Sequence, residues 1–146
     1  MKPENILLDI GGHVKLCDFG FAVTIADVSE PLHDGCGTAM YVAPEIAEGF
    51  MKRSHGFPVD WWSLGCVLFE MLTGHAPFGD TDNASKFEIF NNINSREASF
   101  PILMNADLKA LMKGLLVKDP QQRFSAVEVK QSAWLAKVRN NNFISI

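Results

Sequence analysis

The chain has 146 residues, 47% of them apolar and 21% charged, the size and make-up of one ordinary folded domain rather than a disordered tail. Its 13 basic and 17 acidic residues leave a net charge of −4 with no basic block, which argues against nucleic-acid or anionic-membrane binding. The longest apolar stretch, Val59 to Leu72, is broken by Asp60 and Glu70 and is too short to cross about 30 Å of hydrocarbon. Lys2, Glu4 and Asp9 interrupt what would have to be the apolar part of a secretory leader. Cys17, Cys36 and Cys66 are an odd number with no close pair, so neither a disulfide framework nor a zinc knuckle is expected; His13, His33, His55 and His75 are scattered. An intracellular, cytoplasmic protein with reduced thiols is the expectation.

In chain order, the first element is a β-hairpin. Asn5 to Asp9 and His13 to Cys17 alternate apolar and polar residues around Ile10-Gly-Gly12. Folding these strands back on each other brings Asn5 near Asp18. Residues 20–43 carry Gly20, Pro31, Gly35 and Gly37 without periodicity and read as a long loop, a length usually reserved for function or disorder. A helix starts with Pro58 in its first turn and ends at Gly74, apolar on every side from Val59 to Leu72, so it needs a core all round it. Phe87, Phe90 and Ile93 follow Asp82-Asn83 at spacing three and predict a shorter amphipathic helix over 83–94. Leu108, Leu111, Met112, Leu115 and Leu116 form a full helical stripe over 105–117, ending at Asp119-Pro120. Ser125-Ala-Val-Glu128 is a capping box that opens one last helix through Trp134 and Val138, before a polar tail at 139–146. No repeat or linker divides the chain.

Alone, Asn5 and Asp18 would be read as turn-capping side chains. Their neighbours change that: Lys2-Pro-Glu-Asn5, Asp18-Phe-Gly20, Ala43-Pro-Glu45, Asp60-Trp-Trp-Ser-Leu-Gly65 and Asp119-Pro-Gln-Gln-Arg123 occur in this order over nearly the whole chain. The set resembles the catalytic segment of eukaryotic serine/threonine protein kinases. Asp18-Phe-Gly-Phe-Ala22 and Cys36-Gly-Thr38 are most similar to the cyclic-nucleotide-dependent, AGC-type branch, with calcium/calmodulin-type kinases the alternative. The resemblance implies an α+β, mostly α-helical fold: the large, C-terminal lobe of a kinase, opening with a short β-hairpin. Residues 1–138 are then a partial kinase domain.

The resemblance also implies roles. Asp18 looks like the Mg²⁺ ligand that bridges ATP phosphates, and Asn5 like the second metal ligand, both offering the oxygen that hard cations prefer. Lys2 resembles the lysine that neutralises the transferring phosphoryl group, against the bland reading of a solvated surface lysine. Leu7 resembles the floor beneath the adenine, and Phe19 the aromatic whose packing sets the active or inactive state; by periodicity both would be core. Thr38 looks like the threonine that positions the acceptor hydroxyl. Glu4 and Glu70 fall where basophilic members hold a substrate arginine, which implies protein substrates with Ser or Thr in a basic context; an exposed helix residue is the plain alternative for Glu70. Asp34 sits about where the activating phosphothreonine would be and has part of its charge, or is an ordinary loop aspartate. Asp60, and Glu45 paired with Arg123, resemble structural anchors.

Two departures matter. Relatives often carry Pro-Glu after the threonine, whereas Ala39-Met40 stand here, removing one acidic substrate contact. The motif also starts after its His-Arg-Asp portion, and no Gly-rich loop or Val-Ala-Ile-Lys strand occurs, so the catalytic aspartate and the small lobe are missing. These 146 residues alone are therefore expected to transfer no phosphate and to expose apolar surface that invites association. A non-catalytic kinase-like binding module is the alternative.

Overall fold

A computed structural model describes residues 1–22, 37–48, 56–79 and 84–140, with residues 139 and 140 by backbone only. Asp34, Cys36, His33 and His55, and most of the loop predicted over 20–43, lie outside the described residues.

Strands β1 (Ile6–Leu8) and β2 (Val14–Leu16) pair antiparallel in the expected hairpin, with Ile6 opposite Leu16 and Leu8 opposite Val14. The turn is built by Asp9. Its Oδ1 accepts from the backbone N–H groups of Gly11 and His13, each at 2.9 Å, and Gly12 takes a left-handed φ of 78° that favours glycine. The His13 and Gly11 N–H groups and the charge of Lys15 hold the Asp9 carboxyl below its ordinary value.

The rest is helical: α1 (Pro44–Ala47), α2 (Pro58–Thr73), α3 (Lys86–Ser95), α4 (Ala106–Leu115), α5 (Ala126–Gln131) and α6 (Ala133–Asn140). As its all-round apolar surface requires, α2 is the hub. Trp62, Cys66 and Val67 face a cluster with Tyr41, Phe78 and Ile93, and Phe69 faces Leu108 and Met112 of α4. Trp62 is fully buried and stacks on Phe78 with ring centres 5.4 Å apart. Burial pushes the Cys66 thiol well above its usual range, so it stays a neutral core group. The helix stops at Gly74, whose φ of 82° closes the last turn on the Glu70 carbonyl. Met71 and Leu72, on its last turn, remain exposed among the described residues.

Three expectations need correction. Phe87 is not part of the buried stripe of α3. Ser85 and Glu88 form a capping box that fixes where the helix starts, and its inward face is then Ile89, Asn92 and Ile93, with Phe87 exposed. The predicted last helix is two. Ser132 is extended (ψ 142°) and its hydroxyl accepts from the Leu135 N–H, so it ends α5 and caps α6, which runs on to Asn140 inside the predicted tail. Part of the predicted loop is ordered by a 3-10 turn at Ala39–Tyr41. Asp60 stands exposed in the first turn of α2.

Glu45 and Arg123 form the expected buried ion pair. Two parallel hydrogen bonds of 2.7 and 2.8 Å join them, and the remaining guanidinium N–H groups donate to the carbonyls of Val117, Pro58 and Lys118. The pair joins α1, the start of α2 and the turn after α4, positions 78 residues apart in sequence. Removing one partner leaves an uncompensated buried charge, which costs about 3–5 kcal/mol. Arg123→Leu and Glu45→Leu should each lower stability on that scale in urea unfolding, and the double variant should lose far less than their sum. Additive losses would show that the pair is not coupled.

Candidate active site

The hairpin does what its sequence implied. Asn5 ends a 3-10 turn (Pro3–Asn5), its carbonyl accepts the Cys17 N–H at 3.0 Å, and Asp18 follows β2, so the two side chains meet: Asn5 Nδ2 donates to Asp18 Oδ2 at 3.4 Å. Asp18 has a φ of 59°, in the left-handed region that residues with a Cβ seldom occupy. Its Oδ1 accepts from the Gly20 N–H at 3.3 Å, which helps hold this turn. Both side-chain contacts are long, and the carboxylate keeps open lone pairs toward solvent.

A cavity of about 590 Å³ lies between this turn and the helical body. Lys2, Asn5, Asp18, Phe19 and Thr38 line one part, and Tyr41, Val59 and Ser63 another. The structure thus brings together five of the residues singled out from sequence. Phe19 is 67% exposed, an aromatic side chain without a covering layer. Leu7 does not line the cavity. It pairs with Lys15 and is 51% exposed, so it is not core.

Glu70 meets another residue, Tyr41, which sequence reading passed over. The Tyr41 hydroxyl donates to Glu70 Oε2 at 2.7 Å, and its backbone carbonyl accepts from the Ser63 hydroxyl at 2.8 Å. Glu70 is therefore half-buried and held, not a free surface carboxylate. No local pattern marks Tyr41: its partners lie 22 and 29 residues away on α2. Burial, then the Glu70 carboxylate, then the charge of Glu4 push the phenol above its ordinary value of 10.0.

Chemically, Asn5 and Asp18 offer an amide and a carboxylate oxygen to a hard cation. No cluster of three or more acidic, His or Cys side chains exists among the described residues, so an all-protein metal cage is not formed. The donor set fits Mg²⁺, which is commonly bound by one or two protein oxygens, with waters and substrate phosphates as its other ligands. No helix among the described residues is long and apolar enough to cross a membrane.

A hairpin that sets an amide against a carboxylate, followed by a helical body stitched by a buried Glu–Arg pair, defines a protein kinase lobe. The protein kinase domain family matches residues 1–135, and the chain belongs to it. It is 41% identical over 143 residues to a cAMP-dependent protein kinase catalytic subunit of Dictyostelium discoideum, a match covering 94% of this chain and 21% of that protein. It is 43% identical to the human cAMP-dependent protein kinase catalytic subunit PRKX, covering 94% and 37%, and 39% identical to the serine/threonine-protein kinase AtPK2/AtPK19 of Arabidopsis thaliana, covering 94% and 29%. The expected likeness to the cyclic-nucleotide-dependent branch is thereby found. The chain spans well under half the length of these curated relatives.

Tyr41 is the chain's single tyrosine, so its ionisation can be read directly from phenolate absorbance. Because the folded value is raised, stability is fully present below pH 10.0 and is lost as pH rises above it, where only the unfolded chain ionises. Phenolate should appear together with unfolding, not at the ordinary midpoint. Glu70→Gln should lower the folded midpoint while leaving it above 10.0, since burial is the leading cause. Reversible ionisation at 10.0 in the folded chain would contradict the Tyr41–Glu70 contact.

Proposed function

We propose that this chain is the large-lobe part of an ATP-dependent protein kinase that transfers the γ-phosphate to Ser or Thr hydroxyls in proteins. The observation that carries the reading is the approach of Asn5 to Asp18 across 13 positions of sequence, on the rim of a cavity that also holds Lys2 and Thr38. Asp18 and Asn5 are the oxygen donors to Mg²⁺. When bound, the ion offsets the charge of the ATP phosphates and fixes their orientation. Lys2 lies on the same cavity, where an ammonium group is placed to favour charge that builds on a phosphoryl oxygen. Thr38 contributes an exposed hydroxyl on the acceptor side, and Phe19, beside the metal-binding carboxylate, is the packing element that sets its orientation.

Glu4 and Glu70 give the acceptor side a negative character that favours basic residues near the phosphorylated hydroxyl. Tyr41 holds Glu70 in one orientation for that contact.

On the described residues a nucleotide would have one wall only. Leu7 and Phe19 are exposed, without a covering layer among the described residues. Positioning accounts for most of the catalysis in phosphoryl transfer, so the 146 residues by themselves are inactive. The test is a chimera in which residues 1–138 replace the matching segment of the human PRKX relative. It should phosphorylate a serine peptide with nearby arginines, and Asp18→Asn should cut its kcat by a factor on the order of 100 or more. The 146-residue chain alone should show no transfer. A folded, nucleotide-binding chimera without activity would favour the non-catalytic binding module instead.

A further inference from the structure

Ser99 stands apart from the other hydroxyl residues of the described chain. Ser63, Thr73 and Ser95 donate to backbone carbonyls at 2.8, 2.9 and 2.6 Å, and Ser85, Ser125 and Ser132 cap α3, α5 and α6. Ser99 is exposed, and its hydroxyl bonds to none of the described residues. It lies in the connector between α3 and α4, where residues 96–100 are neither helix nor strand. From Glu97 to Phe100 no backbone N–H or carbonyl is hydrogen-bonded to the described residues. The segment is nonetheless placed: Ala98 and Phe100 pack inward on the core clusters, and Ser99 between them faces out. Phe100 meets Phe69 edge to face with ring centres 5.6 Å apart. Three residues ahead of Ser99 stands Arg96, also exposed, with extended dihedrals (φ −109°, ψ 155°). Thr38, likewise exposed, has no basic residue among the four before it.

We propose that Ser99 is a phosphorylation site, the acceptor for an arginine-directed serine/threonine kinase acting on this chain in trans. Ser99 does not line the cavity described above, so the proposal holds whatever that cavity does. A phosphate acceptor must offer an unused hydroxyl on backbone that an enzyme cleft can grip, and residues 97–100 offer both, because their backbone groups are uncommitted. An extended chain rises about 3.3 Å per residue, so Arg96 sets a guanidinium about 10 Å along the chain from Ser99. That is far enough to meet a separate carboxylate of the enzyme, and such a charge-assisted pair fixes which hydroxyl enters the cleft. In the transfer, Ser99 Oγ bonds to the γ-phosphorus of ATP as the bond from that phosphorus to the bridging oxygen breaks. The hydroxyl proton passes to a base of the transferring enzyme, and ADP leaves. The product carries about 1.5–2 additional negative charges on the surface between α3 and α4.

The experiment incubates the dilute 146-residue chain, its fold checked by near-ultraviolet circular dichroism, with Mg·ATP and a purified serine/threonine kinase that requires an arginine three residues before its acceptor. Intact mass and peptide mapping locate the phosphate. The chain should gain one group of about 80 Da at Ser99, at a rate within about tenfold of that for a free peptide of residues 93–104. Ser99→Ala should remove it. Arg96→Gln should slow the transfer about tenfold or more, the loss of one charge-assisted contact, and should do so equally in the peptide, which has no fold to lose. Arg96→Lys should restore part of the rate. Rapid transfer to the peptide with transfer to the folded chain slower than that margin would show that the fold hides the hydroxyl, and overturns the inference. Phosphate at other residues with Ser99 bare, a rate at Ser99 indifferent to Arg96→Gln, or no transfer to chain and peptide alike overturns it as well.

Discussion

The buried Arg123 guanidinium constrains the rest of the structure. Its N–H groups are all consumed, two by Glu45 and three by backbone carbonyls, and its Cζ lies 5.2 Å from the centre of the Trp62 ring. Taking both charges out of water costs several kcal/mol per ion, and only this near-complete pairing offsets it. What the arrangement provides is position. Glu45 belongs to α1, which follows directly on the 3-10 turn that holds Met40 and Tyr41. Anchoring Glu45 to the start of α2 therefore sets where Tyr41 meets Glu70 and Ser63. One wall of the cavity is fixed by a contact that does not itself line it.

The other wall depends on different physics. The hairpin strands are three residues each, a length at which a two-stranded sheet is marginal by itself, and most of their apolar side chains face outward. Only Ile6 packs against the main core cluster. Local hydrogen bonding from Asp9 fixes the turn, and the turn fixes the register that sets Asn5 against Asp18. A change at Glu45 or Arg123 thus acts on the wall that holds Tyr41 and Ser63, whereas a change at Asp9 or Gly12 acts on the one that holds Asn5 and Asp18.

Features encoded locally were legible in the sequence, and those encoded at long range were legible only through motif resemblance or not at all. The α4 stripe from Leu108 to Leu116 and the Pro58 and Gly74 boundaries of α2 follow from periodicity and punctuation, and all were found. The Glu45–Arg123 pair has no periodicity; it was visible only as a family likeness. Phe87 misled because spacing three fits two faces of a helix equally well, and the capping box decided between them by setting the helix start. The break at Ser132 escaped because serine reads equally as interior or cap until its neighbours are packed. The contacts of Tyr41 are tertiary facts with no sequence signature.

The conformation of Asp18 shows how these levels meet at the site. A left-handed φ of 59° is a local choice against the residue's own preference, costing about 1–3 kcal/mol. The hydrogen bonds from Asn5 and Gly20 that accompany it are long, and neither the exposed carboxylate nor the exposed Phe19 gains from burial. Packing does not therefore account for the strain. It follows instead from register: the hairpin delivers residue 18 to the rim at a point where an ordinary extended backbone would not turn the chain back past Asn5. The strained backbone brings the Asp18 carboxylate to the Asn5 amide on the rim of a cavity that Lys2 also lines, a geometry of no evident use to the core.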